Sequence, residues 1–348
     1  MSSVREPRWT RPALVPWRRP FRVVIETPLS ANAGLVLSRD GEIAALEVRG
    51  KTVLTEGFVA YTCSIPDGLP EQLYDLVLMD DGDRHVSPNA VYALPGFRET
   101  FTFLHASDLH LLVGGSDGTL EDRSPRGRAL VERINAIRPD FVVYTGDLIS
   151  RYGAQKEALS PEVIHWQARR LQNIMLKLKV PLFITIGNHD VAFESSRAAW
   201  QTYMGRPWDR ATDDYSFDYG PCHFAVLDCF AYYDADNRSI GKSLTSEQCL
   251  WLERDMRRAA SSQRRFLFIH YDYQKQLPAL FDTLRLDMLF YGHSGRRYSE
   301  ELERHGISDG HLSSGDAYRL VHVTPAGISS EIVSWVELMK KGSLDFVT

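Results

Sequence analysis

Five short motifs fall in one order along the chain, and each closes an apolar run. They are Asp108-Leu109-His110, Gly146-Asp147, Gly187-Asn188-His189-Asp190, His270 and Gly292-His293. The runs ahead of them read FTFLHAS, FVVYTG, PLFITIG, RFLFIH and DMLFYG. Each has the length and the β-branched or aromatic content of a strand. Open α/β sheets bind ligands beyond the carboxyl ends of their strands. Five strands ending in this way would gather three carboxylates, one amide and four imidazoles in one crevice. Oxygen and imidazole donors without thiolate suit divalent metals such as Mn, Fe, Zn, Co or Ni.

A pair of such metals needs one ligand that bridges them, and a carboxylate with two oxygens can do so. Asp147 is central in the motif order and is the candidate bridge. Asp108 and His110 stand two apart at a strand end, where a bend can present both to one metal. Asn188 offers a neutral carbonyl oxygen, and His270 and His293 offer imidazoles. Two cations about 3.5–4 Å apart would clamp a phosphate and lower the pKa of a bridging water. The resulting hydroxide would attack phosphorus in line. His189, outside the metal shell, could protonate the leaving oxygen, a role typically worth ~10²–10⁴-fold.

The elements that must position these groups change in texture near Pro95-Gly96. Residues 1–20 carry four prolines and little periodicity, and read as an extended arm. Residues 21–97 hold short apolar runs separated by turn signals at Arg39-Asp40-Gly41, Arg49-Gly50-Lys51 and Asp81-Gly82-Asp83. That spacing predicts a small all-β domain, an immunoglobulin- or fibronectin-like β-sandwich. From 98 to 348 strands alternate with helices. Leu130, Ile134 and Ile137 share one face of a helix over 126–138. Ser160-Pro161 opens a second helix with Val163, Leu171, Ile174 and Leu178 inward. Thr245 and Gln248 form a capping box, and 278–286 makes a short helix. Two strand pairs, YSFDYG with CHFAVLD and AYRLVHVT with GISSEIVSWV, break the alternation. The second domain is therefore an α/β sandwich with mixed sheets.

Bulk properties exclude several classes. A net charge of −5 supplies no broad basic field for nucleic acid. No apolar run reaches the roughly 18 residues of a membrane span. The N-terminus lacks an apolar signal core, which predicts a cytoplasmic location. Cys63, Cys222, Cys229 and Cys249 match no zinc or disulfide framework and read as buried or isolated thiols.

The ordered set D-x-H, GD, GNHD, H, GH resembles the calcineurin-like metallophosphoesterase superfamily, over about residues 100–335. The resemblance implies a four-layer α/β/β/α sandwich, with an all-β domain ahead of it as in purple acid phosphatases. It implies Asp108, His110 and Asp147 on a first metal. It implies Asp147, Asn188, His270 and His293 on a second, and His189 as proton donor. Three departures stand out. Gly292-His293-Ser294-Gly295 replaces the GHxH of many members, leaving the first site one imidazole short. Gly146-Asp147-Leu148-Ile149-Ser150-Arg151 lacks a further Asp that some members use to orient the catalytic His. Asp190 could serve that purpose or act as a cap. After His270 the chain reads Tyr271-Asp272-Tyr273, where many members carry proline.

Other residues read more plainly. His105 is a packed histidine, and His223 is structural. Asp228 ends a strand and is either structural or a contact at the crevice rim. Arg296 and Arg297 are either solvated charges or a fork for substrate phosphate. His305, His311 and His322 are candidates for the absent ligand. The polar stretch from Gly114 to Arg128 is either a lid or a connection. The sequence thus predicts a hydrolase of small-molecule phosphate mono- or diesters that uses two divalent metals, with His189 and Asp190 as catalytic residues. The alternative is a catalytically weakened metal-binding protein that holds a ligand or partner.

Overall fold

The computed structural model describes residues 3–30, 33–55, 57–80, 82–114, 118–151, 158–207, 209, 212–228, 243–271, 276–293, 298–312 and 316–334. Among these, every regular element from Ser3 to Leu94 is a strand. One sheet orders Ser3–Glu6, Pro20–Glu26, Phe58–Ser64 and Glu47–Thr55. The other orders Ala13–Pro16, Asp83–Leu94, Gln72–Asp80, Gly34–Arg39 and Glu42–Ala45. Alternate residues of both sheets, among them Val23, Ile25, Tyr61, Leu37, Tyr74 and Leu76, fill one shared core.

The first 20 residues are not a free arm. Ser3–Glu6 pairs antiparallel with Pro20–Glu26, and Ala13–Pro16 pairs parallel with Asp83–Leu94. Prolines at strand ends and edges allow this, because no ladder hydrogen bond is demanded of them there. Asp40-Gly41 forms the expected hairpin, both residues at positive φ as a tight two-residue turn requires. Arg49-Gly50-Lys51 is not a turn. It lies within Glu47–Thr55, where the register shifts between Val48 and Gly50 as a bulge. The chain instead changes sheets at buried Leu46. The long strand Asp83–Leu94 escapes the sequence pattern because Pro88 interrupts it. A register irregularity opposite Tyr74–Leu76 absorbs that proline.

Two mixed sheets follow. The first orders Leu182–Thr185, Phe141–Thr145, Phe101–Ala106, Ala317–Thr324 and Gly327–Ser334. The second orders Tyr215–Tyr219, Cys222–Val226, Arg264–Phe268, Met288–Tyr291 and Ser308–His311. Within each, the strands that lead to the motifs run parallel, so their carboxyl ends face the same way. The facing sides are aromatic. Phe103 stacks on Phe141 at 5.1 Å, Phe268 on Phe290 at 4.6 Å, and Phe103 meets Phe224 edge-on at 5.8 Å. The alternate residues Leu104, Val142, Ile184, Leu267 and Leu289 point to the other faces, into a cluster with helix residues Leu130, Leu171 and Leu252. Strands buried on both faces explain the nearly continuous apolar runs.

The helices largely follow the sequence expectations. Ser124–Ile137 ends at Arg138 in the left-handed region, and Thr245 and Gln248 make both bonds of the capping box. In Pro161–Met175, Ile164 rather than Val163 is buried. Helix Glu194–Met204 was not anticipated. The polar stretch from Gly114 to Arg128 contains part of a small ribbon, Leu112–Gly114 with Leu120–Asp122, and then the start of the helix.

Candidate metal centre

The motifs follow the strand ends in tight turns that place side chains by backbone strain. Asp108, His110, Asp147 and His293 all have positive φ, between 45° and 59°. Such values are uncommon for residues with a Cβ and concentrate at functional sites. Backbone bonds lock the turns together. Asp108 N–H donates to Gly146 C=O at 3.0 Å, and His110 N–H donates to Asp147 C=O at 2.9 Å. Glycines permit the close approach. A Cβ on Gly187 would overlap Asp147 N and Oδ1, and one on Gly292 would overlap the Ser107 hydroxyl.

Asp190 ties two of these turns together. It is fully buried, and its oxygens accept from the N–H groups of Asp147, Leu148, Ile149 and Gly187 at 2.8–3.0 Å. Burial, then the neighbouring Asp147 charge, pushes its carboxyl up to about 7, while the Ile149 and Gly187 amides pull the other way. Both oxygens of Asp190 are thus engaged by backbone, an arrangement that orients the two turns.

The remaining expected residues converge. Asp147 Oδ1 accepts from His189 N–H at 2.7 Å, and Asp147 Oδ2 lies 3.2 Å from His270 Nε2. The same His270 nitrogen is 3.1 Å from Asn188 Oδ1, while its Nδ1 faces Thr145 C=O at 2.5 Å. His110 Nε2 is 3.7 Å from both Asp108 and Asp147. Asp108 Oδ2 accepts from His293 N–H at 3.2 Å, which joins the two sheets across the crevice. His110, Asp147 and His189 form one group of potential ligands, and Asp147, His270 and His293 form another. Asp147 is common to both. His189 also stands closer to the donor set than a group outside the metal shell was expected to be. Its ring meets His110 edge-on at 4.6 Å.

The electrostatics fit a cation-binding cradle. Burial opposes ionisation of Asp147, but His270, then His189 and His110, outweigh it and hold the carboxyl well below the usual range. Burial likewise opposes charging of His270, yet Asp147 raises it to about 9. His110 is raised by Asp108 and Asp147 against its burial. His189 goes the other way, pushed down to about 3 by burial despite the pull of Asp147. Converging carboxylate, amide and imidazole donors suit a divalent ion, because a positive charge there satisfies all of them at once.

Other residues sort clearly. His105 is fully buried and bonds Thr145 Oγ1 at 2.8 Å. His223 lies between Asp218 and Asp255. Asp228 is not a rim contact: it is buried and paired with Arg197 at 2.9 Å. His305 bonds Asp282, His322 bonds Thr102, and the His311 ring lies against Tyr291. None of the three belongs to either potential ligand group among the described residues. Cys63 and Cys222 are buried free thiols, and Cys249 is half-buried. Ser294, Gly295, Arg296, Arg297, Asp272, Tyr273, Cys229 and residues 115–117 lie outside the described residues. Tyr271, read from the sequence only as a departure from proline, has its ring 4.4 Å from that of His293. Its one signal was its place directly after His270. Among the described residues no helix is long and apolar enough to cross a membrane.

The chain is similar to known proteins. A family model described as calcineurin-like phosphoesterase matches residues 101–297, more than half of the chain. Purple acid phosphatase 15 of Arabidopsis thaliana is 25% identical over 176 residues, which are 42% of this chain and 31% of that protein. The chain thus spans about a third of that relative's length. A crystal structure of a dimetal phosphatase from Danio rerio covers 68% of this chain and 99% of its own, at 13% identity and a TM-score of 0.45.

Proposed function

The chain belongs to the calcineurin-like phosphoesterases, and from that premise we propose that it hydrolyses small-molecule phosphate esters with two divalent metal ions. The observation that carries the reading is Asp147 shared between two groups of potential ligands, each completed by imidazoles. In this reading Asp108, His110 and Asp147 hold one ion, and Asp147, Asn188, His270 and His293 hold the other. When bound, the ions would supply Lewis-acid stabilisation of a phosphoryl group and activation of water.

The chain's own residues do the rest. Asp190 fixes the two turns that present Asp147 and Asn188. Thr145 C=O holds His270 through Nδ1, which leaves Nε2 directed at Asp147 and Asn188. His189 is the group we assign to the leaving oxygen. Its ring is neutral at pH 7 in the protein alone, and a phosphate anion beside it would favour the charged form. That shift would equip it to deliver a proton as the ester bond breaks. We further read the N-terminal strands up to residue 97 as a β-sandwich domain, and 98–348 as the catalytic domain. Mono- and diesters both suit the site, and Mn, Fe, Zn, Co and Ni all suit the donors.

One sample tests the reading. Metal content is measured by mass spectrometry, alongside hydrolysis of p-nitrophenyl phosphate and bis-p-nitrophenyl phosphate. We expect exhaustive chelation to abolish hydrolysis and Mn²⁺ to restore it. Full activity with metal shown to be absent would rule the mechanism out. Metal retained with no hydrolysis of either ester would favour a binding protein.

A further inference from the structure

The strand Leu182–Thr185 is the outer strand of its sheet, and it leads directly into Gly187-Asn188-His189-Asp190. An outer strand leaves one row of backbone groups without a neighbouring strand. Here the N-terminal segment supplies a partner: Thr10 C=O accepts from Ile184 N–H at 3.2 Å. The C=O of Ile184 accepts from the Tyr215 hydroxyl at 3.0 Å, and the Arg11 guanidinium lies over that tyrosine ring at 5.0 Å.

The element that follows the motif is gripped by the same segment. Helix Glu194–Met204 ends in carbonyls that have no partner within the helix. Trp9 Nε1 donates to Tyr203 C=O at 2.9 Å, and Thr10 Oγ1 donates to Met204 C=O at 2.8 Å. Trp9 is 5% exposed and belongs to the same apolar cluster as Ile184, Ile186, Val191 and Trp200. Arg8 secures the segment. Its guanidinium donates to both oxygens of Asp213 at 2.5 Å, and its Nε donates to Thr10 Oγ1 at 3.0 Å. Gly205, at φ +97°, leaves room that the Arg8 stem fills. Asp213 N–H donates to Asp228, which pairs with Arg197 on the gripped helix.

Residues 8–10 therefore hold the strand that enters the Asn188–His189 turn and the helix that leaves it. Among the described residues, they belong to neither group of potential metal ligands. We propose that Arg8, Trp9 and Thr10 are positioning residues of the site, setting the turn so that Asn188 and His189 meet Asp147 and His270. The proposal rests on the assignment of Asn188 and His189 to the site. It gives the turn between the strands Ser3–Glu6 and Ala13–Pro16 a task in the chemistry beyond packing.

The test uses the full chain with the conservative variants Arg8→Lys and Trp9→Phe. Arg8→Lys keeps the charge but loses the two-pronged grip. Trp9→Phe removes the indole donor and keeps the aromatic bulk. Amide hydrogen exchange is followed in metal-free protein, and Mn²⁺ affinity is titrated separately. Exchange across 186–193 should quicken by about 10-fold or more in both variants, because local opening there loses its restraint. Exchange at 264–269, on the far sheet, should not change. Mn²⁺ affinity should fall by about 10-fold, the low end for groups that orient a ligand without touching metal. Unchanged exchange at 186–193 would overturn the proposal, and so would equal acceleration throughout the chain, which marks general destabilisation. Neither readout needs a substrate. A wild-type protein without esterase activity would therefore count against the hydrolase reading alone.

Discussion

Asp147 and His189 are neighbours in space with opposite electrostatic fates, and that contrast separates their roles. Asp147 is fully buried among three imidazoles that favour its charge, whereas His189 is driven toward neutrality by burial. Asp147→Asn removes the charge shared by both groups of ligands. Its Mn²⁺ affinity should fall by at least the ~10–100-fold that even outer-sphere changes cost, and hydrolysis should fall with it. His189→Ala should keep most of the metal and lose about 10²–10⁴-fold in turnover, most for esters with poor leaving groups. Metal loss in His189→Ala as large as in Asp147→Asn would make His189 a ligand, an outcome its place beside His110 and Asp147 makes worth measuring. The identities of these residues were legible in the sequence, because each closes an apolar run and their order is distinctive. What each one touches was not. Asp190 was expected among the catalytic groups, and its oxygens are engaged by four backbone amides from two turns, those of Asp147, Leu148 and Ile149 in one and of Gly187 in the other. Backbone bonding of that kind leaves no trace in residue type.

The turns and helices around the site show which local features are tuned to it. A Cβ on Gly187 would overlap Asp147, the residue common to both groups of potential ligands. Gly187→Ala should destabilise the fold by about 1–3 kcal/mol, as overpacking does, and weaken Mn²⁺ binding as Asp147 is displaced. Thr245→Ala breaks the capping box of helix Ser246–Arg258 and should cost about 1 kcal/mol without altering Mn²⁺ affinity. Equal effects of the two changes on metal titration would refute the special place of Gly187. That same helix is tied to the hairpin of the second sheet by His223, which lies 2.7 Å from Asp218 and 2.8 Å from Asp255. Burial disfavours its charge, but the two carboxylates outweigh this and raise it to about 9. A histidine raised above its unfolded value stabilises fully below about pH 6.5, and that contribution is lost as pH rises through the folded value. Urea titrations should therefore show wild-type stability declining between pH 7 and pH 10. Asp255→Asn should flatten that decline, and an unchanged slope would remove His223 as its cause. At this scale, caps and periodicity predicted three helices because their signals are local. Helix Glu194–Met204 was missed because Phe193, at its N-cap, is not a capping residue type.

Across the whole molecule, the residues ahead of Pro95 do not form a core of their own alone. Leu73, Tyr92 and Leu94 join the aromatic cluster between the two mixed sheets, and Trp9 joins the cluster under the helices. Asn89 donates to Leu176 C=O at 2.9 Å, which adds a polar tie from the long strand to helix Pro161–Met175. The sequence hid this. A change from strand-only to alternating texture marks where element types change, while shared burial depends on faces that meet only after folding. Trp9 sat among prolines and arginines with no periodicity to announce it. The consequence is a test of the division at residue 98. Expressed by itself, 98–348 would expose the surfaces that these four side chains cover. At about 1.5–3 kcal/mol for each large apolar side chain, the loss is about 6–12 kcal/mol. That is comparable with the whole stability of a typical domain, about 5–15 kcal/mol. We therefore expect 98–348 alone to lack a cooperative thermal transition and to be digested rapidly by protease, while the full chain resists. Trp9→Ala in the full chain should cost about 3–5 kcal/mol, the usual range for a buried tryptophan. A cooperatively folded 98–348 with a Tm near that of the full chain would show that these contacts are incidental. The N-terminal strands would then be a separable attachment and not part of the catalytic core.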